Sequence, residues 1–280
     1  MSGEQSGNFR DGRTERELAS GGRGVPFRFT HELLKHTHSN LRDAEAICQG
    51  IRVTKDSAEI RSLQRAASIL SKSFLKIPHL LKVGLTEVQL AQQISQTIYS
   101  SGAEFVTDIL VQSGAFAADP HHLPSARRLK RKESIVIDTA CSYSGYYADI
   151  TRTFNIGHTP ELEGIYENVL AAEEAAIKAS KSGVAVGSID AAARNHLKRA
   201  KLDGYFIHRT GHGLGLEVHE APYIVADGAE IIQPSMAFTI EPGVYLPGKM
   251  GVRIEDDVLS TSQNCRVLTR TLPKEFEWWK

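Results

Sequence analysis

The chain predicts an α+β fold made of two pseudo-symmetric halves, each an antiparallel sheet covered by helices. Two observations predict it. The order helix, helix, strands runs once from Asp56 to Ile156 and again from Leu162 to Ser260. Between them stands Ser134–Ile156, SIVIDTACSYSGYYADITRTFNI, where β-prone runs flank a turn-rich segment around Ser142 to Gly145, the usual mark of two paired strands.

The helices announce themselves by their ends. Asp56, with Glu59 three residues later, forms a capping box. Ile60, Leu63, Ala67, Leu70, Phe74 and Ile77 then recur at helical spacing until Pro78, which is expected to stop the run. Thr86 and Gln89 open a second helix through Leu90, Ile94 and Ile98, with Gly102 to end it. A strand over Phe105–Gln112 follows, then the loop SGAFAADPHHLPS. In the second half a helix spans roughly Leu162 to Ser180, and Ser188 caps another through Leu202. Two β-prone runs, Ala237–Leu246 and Val252–Ser260, are parted by Pro247-Gly248. Before all this, Met1 to about Gly24 is rich in Gly, Ser, Arg and Glu and is expected to be disordered. Phe27 to Gln49 carries a weaker helical pattern, with Leu33, Leu34, Leu41, Ala44 and Ile47 as possible buried positions. The expected division is therefore a tail with a short helical remnant over residues 1–51 and a catalytic domain over 52–280.

Composition narrows the function. The 33 basic and 33 acidic side chains cancel, so neither nucleic acid nor an anionic membrane is expected as a partner. Cys48, Cys141 and Cys265 are scattered without a CxxC pair, which disfavours a disulfide framework or a structural zinc site. No apolar run approaches the ~20 residues of a membrane span, and the first residues lack the apolar core of a signal peptide. A cytoplasmic protein is the expectation.

Acidic residues recur in matching places. Asp138 and Asp149 lie on the central hairpin, Glu241 in FTIEPGVYL and Glu255 in GVRIEDDVL. HRTGHGLGLEVHE, with His212 and His219, lies between the two sets. Each residue alone has a plain reading, as a turn cap, a strand-end acid or a polar loop histidine. Together they point to one cleft, where four carboxylates would repel one another unless divalent cations neutralised them. Oxygen ligands with one imidazole suit Mn²⁺, Fe²⁺ or Co²⁺ as well as Zn²⁺.

DTACSYSGYYADITRTF, HRTGHGLGLEVHEAP, FTIEPGVYLPG and GVRIEDDVL closely resemble the motifs of the pita-bread metallopeptidases. They are most similar to the Xaa-Pro branch, the prolidases and Xaa-Pro aminopeptidases, over about Arg52 to Thr271. The resemblance implies the pita-bread fold and a pair of divalent cations, Mn²⁺ foremost. Asp138, Asp149 and Glu255 would hold one, and Asp149, His212, Glu241 and Glu255 the other. It implies substrate contacts by His121 and His219, proton transfer by Glu241, and in Arg253 the arginine that marks the branch. The implied substrates are peptides with proline second, and a homodimer is the candidate assembly. The competing readings are a non-peptide amide hydrolase on the same fold and a catalytically idle binding protein; an intact ligand set argues against both. Ala140 replaces a common glycine, and Phe116 and His122 also depart from the pattern, so all are expected to reshape the pocket. Tyr223 stands where some prolidases place an arginine for the dipeptide's free carboxylate. Only residues 1–51 stand where the family usually carries an N-terminal domain. Both features lead us to expect that longer Xaa-Pro-Yaa peptides are cleaved at least as well as dipeptides.

Overall fold

Two main apolar cores lie behind the repeated order of elements, with a small third cluster of Leu63, Leu214, Ala237 and Leu259 that draws on both halves. One gathers Leu70, Phe74, Leu90 and Ile94 with Ile135, Ile137 and Ile150. The other joins Val169, Ile189 and Leu197 to Phe238, Ile240, Val252 and Val258. The computed structural model describes residues 18–20, 27–36, 41–157 and 159–276. The tail expected to be disordered lies outside the described residues, apart from a short strand. The chain divides into two units, Met1–Ile51 and Arg52–Lys280. In the first, strand β1 (Leu18–Ser20) pairs in parallel with β2 (Leu41–Asp43). The weak helical pattern resolves into two helices, α1 (Phe27–His36) and α2 (Glu45–Arg52), which runs one residue past the boundary. Leu34 and Ile47, taken as possible buried positions, are exposed.

In the second unit α3 (Ser57–Phe74) opens on the expected box: the Asp56 carboxylate accepts the Ala58 and Glu59 N–H groups, and the Glu59 carboxylate accepts the Asp56 N–H. Pro78 does not end it. The helix closes at Phe74, and Pro78 sits in the first turn of α4 (Ile77–Leu80), where a missing N–H costs nothing. α5 (Glu87–Ser100) keeps its Thr86–Gln89 box.

The strand predicted over Phe105–Gln112 is two, β3 (Phe105–Val106) and β4 (Leu110–Ser113), both on one edge of β5 (Ser134–Tyr143). The register shifts by one residue between the pairs Val106↔Cys141 and Leu110↔Asp138. The extra residue bulges out, and Thr107 and Asp108 there reach the cleft described below. β6 (Tyr146–Asn155) takes the other edge of β5 along its whole length. The turn between them is Ser144-Gly145, with φ of 50° and 79°. Two successive left-handed residues match the twist of a hairpin, and glycine takes the second at no steric cost.

α6 (Pro160–Ala179) and α7 (Val186–Arg199) cover the second half. α7 starts before Ser188, because Ala185 takes the N-cap in extended geometry and the Val186 N–H donates to Glu230 O at 2.9 Å. The remaining strands are β7 (Gly211–Gly213), β8 (Glu220–Ile224), β9 (Ala237–Ile240), β10 (Gly243–Leu246), β11 (Met250–Arg253), β12 (Asp256–Ser260) and β13 (Cys265–Val267). Five form a sheet in the order β13-β12-β9-β7-β8, and β10 pairs only with β11. Each long strand predicted here is therefore broken, at Glu241-Pro242 and at Ile254-Glu255. Proline cannot donate to a ladder. The Glu241 and Glu255 N–H groups turn instead to Thr210 O (2.8 Å) and Thr151 O (3.1 Å). Among the described residues no helix is long and apolar enough to cross a membrane.

Candidate metal centre

The site begins with side-chain alternation on the central hairpin. Asp138 pairs with Thr151 and Ala140 with Asp149, so all four side chains share one face. The opposite face, with Ile137, Cys141 and Ile150, enters the first core. Ala140, small and directly opposite Asp149, leaves that carboxylate unobstructed.

The second half supplies the remaining ligand candidates at its strand ends and breaks. His212 is the middle residue of β7, flanked by glycines because β7 is squeezed between two strands. A Cβ on Gly211 would overlap Thr239 O, and one on Gly213 would overlap Ala221 O. His212 Nδ1 lies 3.1 Å from Gly213 O; donating there leaves Nε2 bare toward the cleft. Nε2 is 3.4 Å from Glu241 Oε1 and 3.9 Å from Asp149 Oδ2. Ligand atoms of Asp149, His212 and Glu255 all fall within 4.8 Å of one another. Thr151 Oγ1 donates to Glu255 Oε2 at 2.6 Å, and Arg253 Nη2 pairs with Asp138 Oδ2.

All five predicted ligands line one cavity of about 670 Å³, with His121, His219 and Arg253. Asp149 Oδ1 and Glu255 Oε1 are buried there without a hydrogen-bond partner. A bare buried carboxylate oxygen is costly, and two of them facing a bare imidazole nitrogen fit divalent cations that favour oxygen. His219 stands edge-on to His212, ring centroids 4.1 Å apart, while His121 is exposed at the mouth. Phe116 and His122, expected to reshape the pocket, do not line it. They stack on each other at 4.3 Å, with His122 Nε2 turned to the buried Glu87 at 3.4 Å.

Sequence reasoning assigned nothing to His208, Arg209, Thr107 or Asp108, which also line the cavity. His208 and Arg209 stand inside the quoted HRTGHG motif; the bulge carrying Thr107 and Asp108 had no local signal. The half-buried His208 sits 2.8 Å from the Tyr245 hydroxyl, which also accepts from Arg253 Nη1 at 2.7 Å. The Tyr223 ring is covered by the Arg209 guanidinium, 5.0 Å from its centroid.

Burial dominates the electrostatics. It raises Asp149 and Glu255 well above the carboxylate range, with neighbouring acids adding to the effect. It pushes Glu241 up to about 7 against the pull of Arg253. Burial, then the His219 charge, lowers His212 to about 3, so it stays neutral and able to ligate. The sign for stability follows. A carboxyl whose folded pKa is raised stabilises the fold while protonated and loses that contribution as pH rises through the folded value. Unfolded histidines are mostly neutral only from pH ~7.5, so it is from there toward pH ~8.5 that the melting temperature of the metal-stripped protein is expected to fall, as the raised carboxyls of Asp149 and Glu255 give up their protons. Glu241, pushed up to about 7, is largely ionised by then and contributes under about 1 kcal/mol. Mn²⁺ should restore the melting temperature more at the upper end of that window than at the lower. A flat or rising profile in calorimetry would contradict this account of the site.

Comparison with known proteins accords with this geometry. The probable dipeptidase PepE of Mycobacterium tuberculosis is 41% identical over 235 residues, covering 83% of this chain and 62% of that protein. The chain thus spans less than two thirds of the length of such curated relatives. The crystal structure of dipeptidase PepE from Mycobacterium ulcerans aligns with a TM-score of 0.85 at 37% identity, covering 92% of this chain and 69% of that one. The X-Pro aminopeptidase from Thermotoga maritima aligns at 0.89 and 34% identity, covering 93% and 74%. The model of metallopeptidase family M24 matches residues 61–262, and with the pita-bread fold of these neighbours, the chain belongs to that family.

Proposed function

We propose that Arg52–Lys280 is the catalytic domain of an exopeptidase that hydrolyses the bond preceding proline with two divalent cations, Mn²⁺ foremost. The observation that carries it is the pair of orphaned oxygens, Asp149 Oδ1 and Glu255 Oε1, buried among four carboxylates and one bare imidazole nitrogen. Asp138, Asp149 and Glu255 would hold one cation, and Asp149, His212, Glu241 and Glu255 the other. The cations would supply Lewis acidity and a water acidic enough to attack at neutral pH.

The protein's own groups do the rest. Glu241, poised near neutrality, takes the proton of the attacking water and returns it to the proline nitrogen. His219, whose pKa burial lowers, is neutral and offers an N–H to the carbonyl oxygen as charge develops there. His121 contacts the peptide at the mouth. Arg253 is spent on Asp138, Tyr245 and Thr151, so it positions the site rather than meeting the substrate. Peptides with proline second are the proposed substrates, and a homodimer the proposed assembly. A cytoplasmic setting fits three cysteines that are all free.

The test is turnover of Ala-Pro peptides and their Ala-Ala counterparts by stripped and Mn²⁺-reloaded protein. Cleavage is expected only after reloading and chiefly before proline. His219→Ala should keep its metal and lose about 10²–10³-fold in kcat. No cleavage with Mn²⁺, Co²⁺, Fe²⁺ or Zn²⁺ would favour the idle binding protein, and equal cleavage before alanine would overturn the proline specificity.

A further inference from the structure

His219 stands at the edge of the cavity with little to hold its ring. Among the described residues it makes no side-chain hydrogen bond; its contact is the edge-on approach to His212, centroids 4.1 Å apart. The residues before it give no anchor, since Leu216 and Glu217 are exposed and Val218 is half-buried. The residue after it does. Glu220 is buried, and both its oxygens are taken: Oε1 accepts from Lys55 Nζ at 2.8 Å and Oε2 from Arg52 Nη2 at 2.6 Å.

This knot is built from outside the loop that carries His219. Lys55 is as deeply buried as Glu220, and its own N–H donates to Ser235 O at 2.9 Å, next to the bridge between Thr54 and Met236. The cations therefore come from a segment fastened beside the start of β9. The loop in turn wraps the carboxylate. A Cβ on Gly215 would lie 2.5 Å from Glu220 Oε1, and Arg52 Nη1 also donates to Glu217 Oε1 at 3.0 Å. A buried pair of this kind adds little stability over apolar side chains of similar volume, yet it tolerates one geometry, because either charge left alone is costly. Fixing Glu220 fixes the Cα of His219, about 3.8 Å away across one trans peptide.

We propose that Glu220, locked by Lys55 and Arg52, is the positioning residue that aims His219 into the metal centre. The inference rests on the peptidase reading above for what His219 does to a substrate; where the ring stands is tested without turnover. None of the three knot residues lines the cavity, so each acts on the reaction only through His219. Misplacing such a group by about 1 Å can cost about 10²-fold in rate.

The experiment measures hydrolysis of Ala-Pro by Mn²⁺-loaded parent, Lys55→Met, His219→Ala and the double variant. Lys55→Met is expected to keep its metal and its KM and to lose about 10–10²-fold in kcat. In the His219→Ala background the same change should cost no more than about twofold, because the group it aims is gone. An equal loss in both backgrounds overturns the proposal and leaves the knot a general support of the fold. Arg52→Met, which opens only the half-buried side of the knot, carries the same comparison with the same two outcomes should Lys55→Met not fold. A second arm needs no turnover. In metal-free protein with ¹³C-labelled histidine, at one fixed pH, the ring signals of His219 are assigned by their loss in His219→Ala. They should shift or split in Lys55→Met or Arg52→Met while those of His208 stay in place. Unchanged His219 signals sink the positioning role alone. Signals that move in a protein that cleaves no peptide support it, and then only the peptidase reading falls.

Discussion

Asp149→Ala is expected to empty the whole centre rather than one side of it. Asp149 is the buried acid with neighbours in every direction: Asp138 diagonally across the hairpin, His212 at 3.9 Å, and Glu255 in the same tight group. A carboxylate so placed can serve two cations through its two oxygens, and its Oδ1 has no other partner. Elemental analysis after dialysis should find metal far below two equivalents, and hydrolysis should fall by at least about 10³-fold. Near-parental circular dichroism would separate this from misfolding. Two cations retained at full occupancy would end the shared-ligand assignment.

Arg152→Met is expected to give the largest loss of stability. Arg152 is buried and donates to Asp256 Oδ1 at 2.8 Å and to Glu255 O at 2.6 Å. Lys274 reaches the other Asp256 oxygen at 2.5 Å and Glu173 at 2.7 Å. Burial alone would raise Asp256, yet the two cations hold it at about 2. Burial and the Asp256 charge push Glu173 up to about 8 against the pull of Lys274, so near neutrality Asp256 is the ionised acid that Arg152 and Lys274 share, one residue from the candidate ligand Glu255. Removing Arg152 leaves Asp256 Oδ1 and Glu255 O buried without the donor they share, and breaking such a buried pair costs about 3–5 kcal/mol. At about 2–4 °C per kcal/mol for a domain of this size, the melting temperature should drop by roughly 10 °C. Adding Asp256→Asn should recover part of the loss, because the buried carboxylate that Arg152 no longer meets goes with it. A shift under about 1 kcal/mol, or no recovery in the double variant, would mean the cluster is not what holds Glu255 in place.

What could be read from the sequence was local or carried by a motif. The boxes at Asp56–Glu59 and Thr86–Gln89 are satisfied within four residues, so their chemistry is visible in the string. The hairpin around Ser144-Gly145 is equally local. The five ligand candidates stood inside motifs, and the fold brings them into one cavity. What could not be read depends on partners far along the chain. The breaks at Glu241 and Glu255 exist because Thr210 and Thr151 accept their N–H groups. The glycines around His212 looked like a loop because nothing nearby revealed β8 and β9 pressing on β7. His122 was assigned to the pocket from its neighbours in sequence, whereas Glu87 and Phe116 hold it elsewhere.

The two apolar cores have a consequence for how this molecule comes apart. Asp138 and Asp149 are rooted in the first core's sheet, His212, Glu241 and Glu255 in the second's. Each core can loosen as its own cooperative unit, but the candidate ligand set keeps its geometry only while both hold their places. Cation binding would therefore act as a latch across the seam, beside the small apolar cluster of Leu63, Leu214, Ala237 and Leu259. By mass action it adds about 4 kcal/mol at a thousandfold excess over Kd, charged to any opening that parts the two sheets and to no fraying confined within one of them. Metal supply would set the slowest amide exchange at the seam while leaving the helix ends as mobile as before.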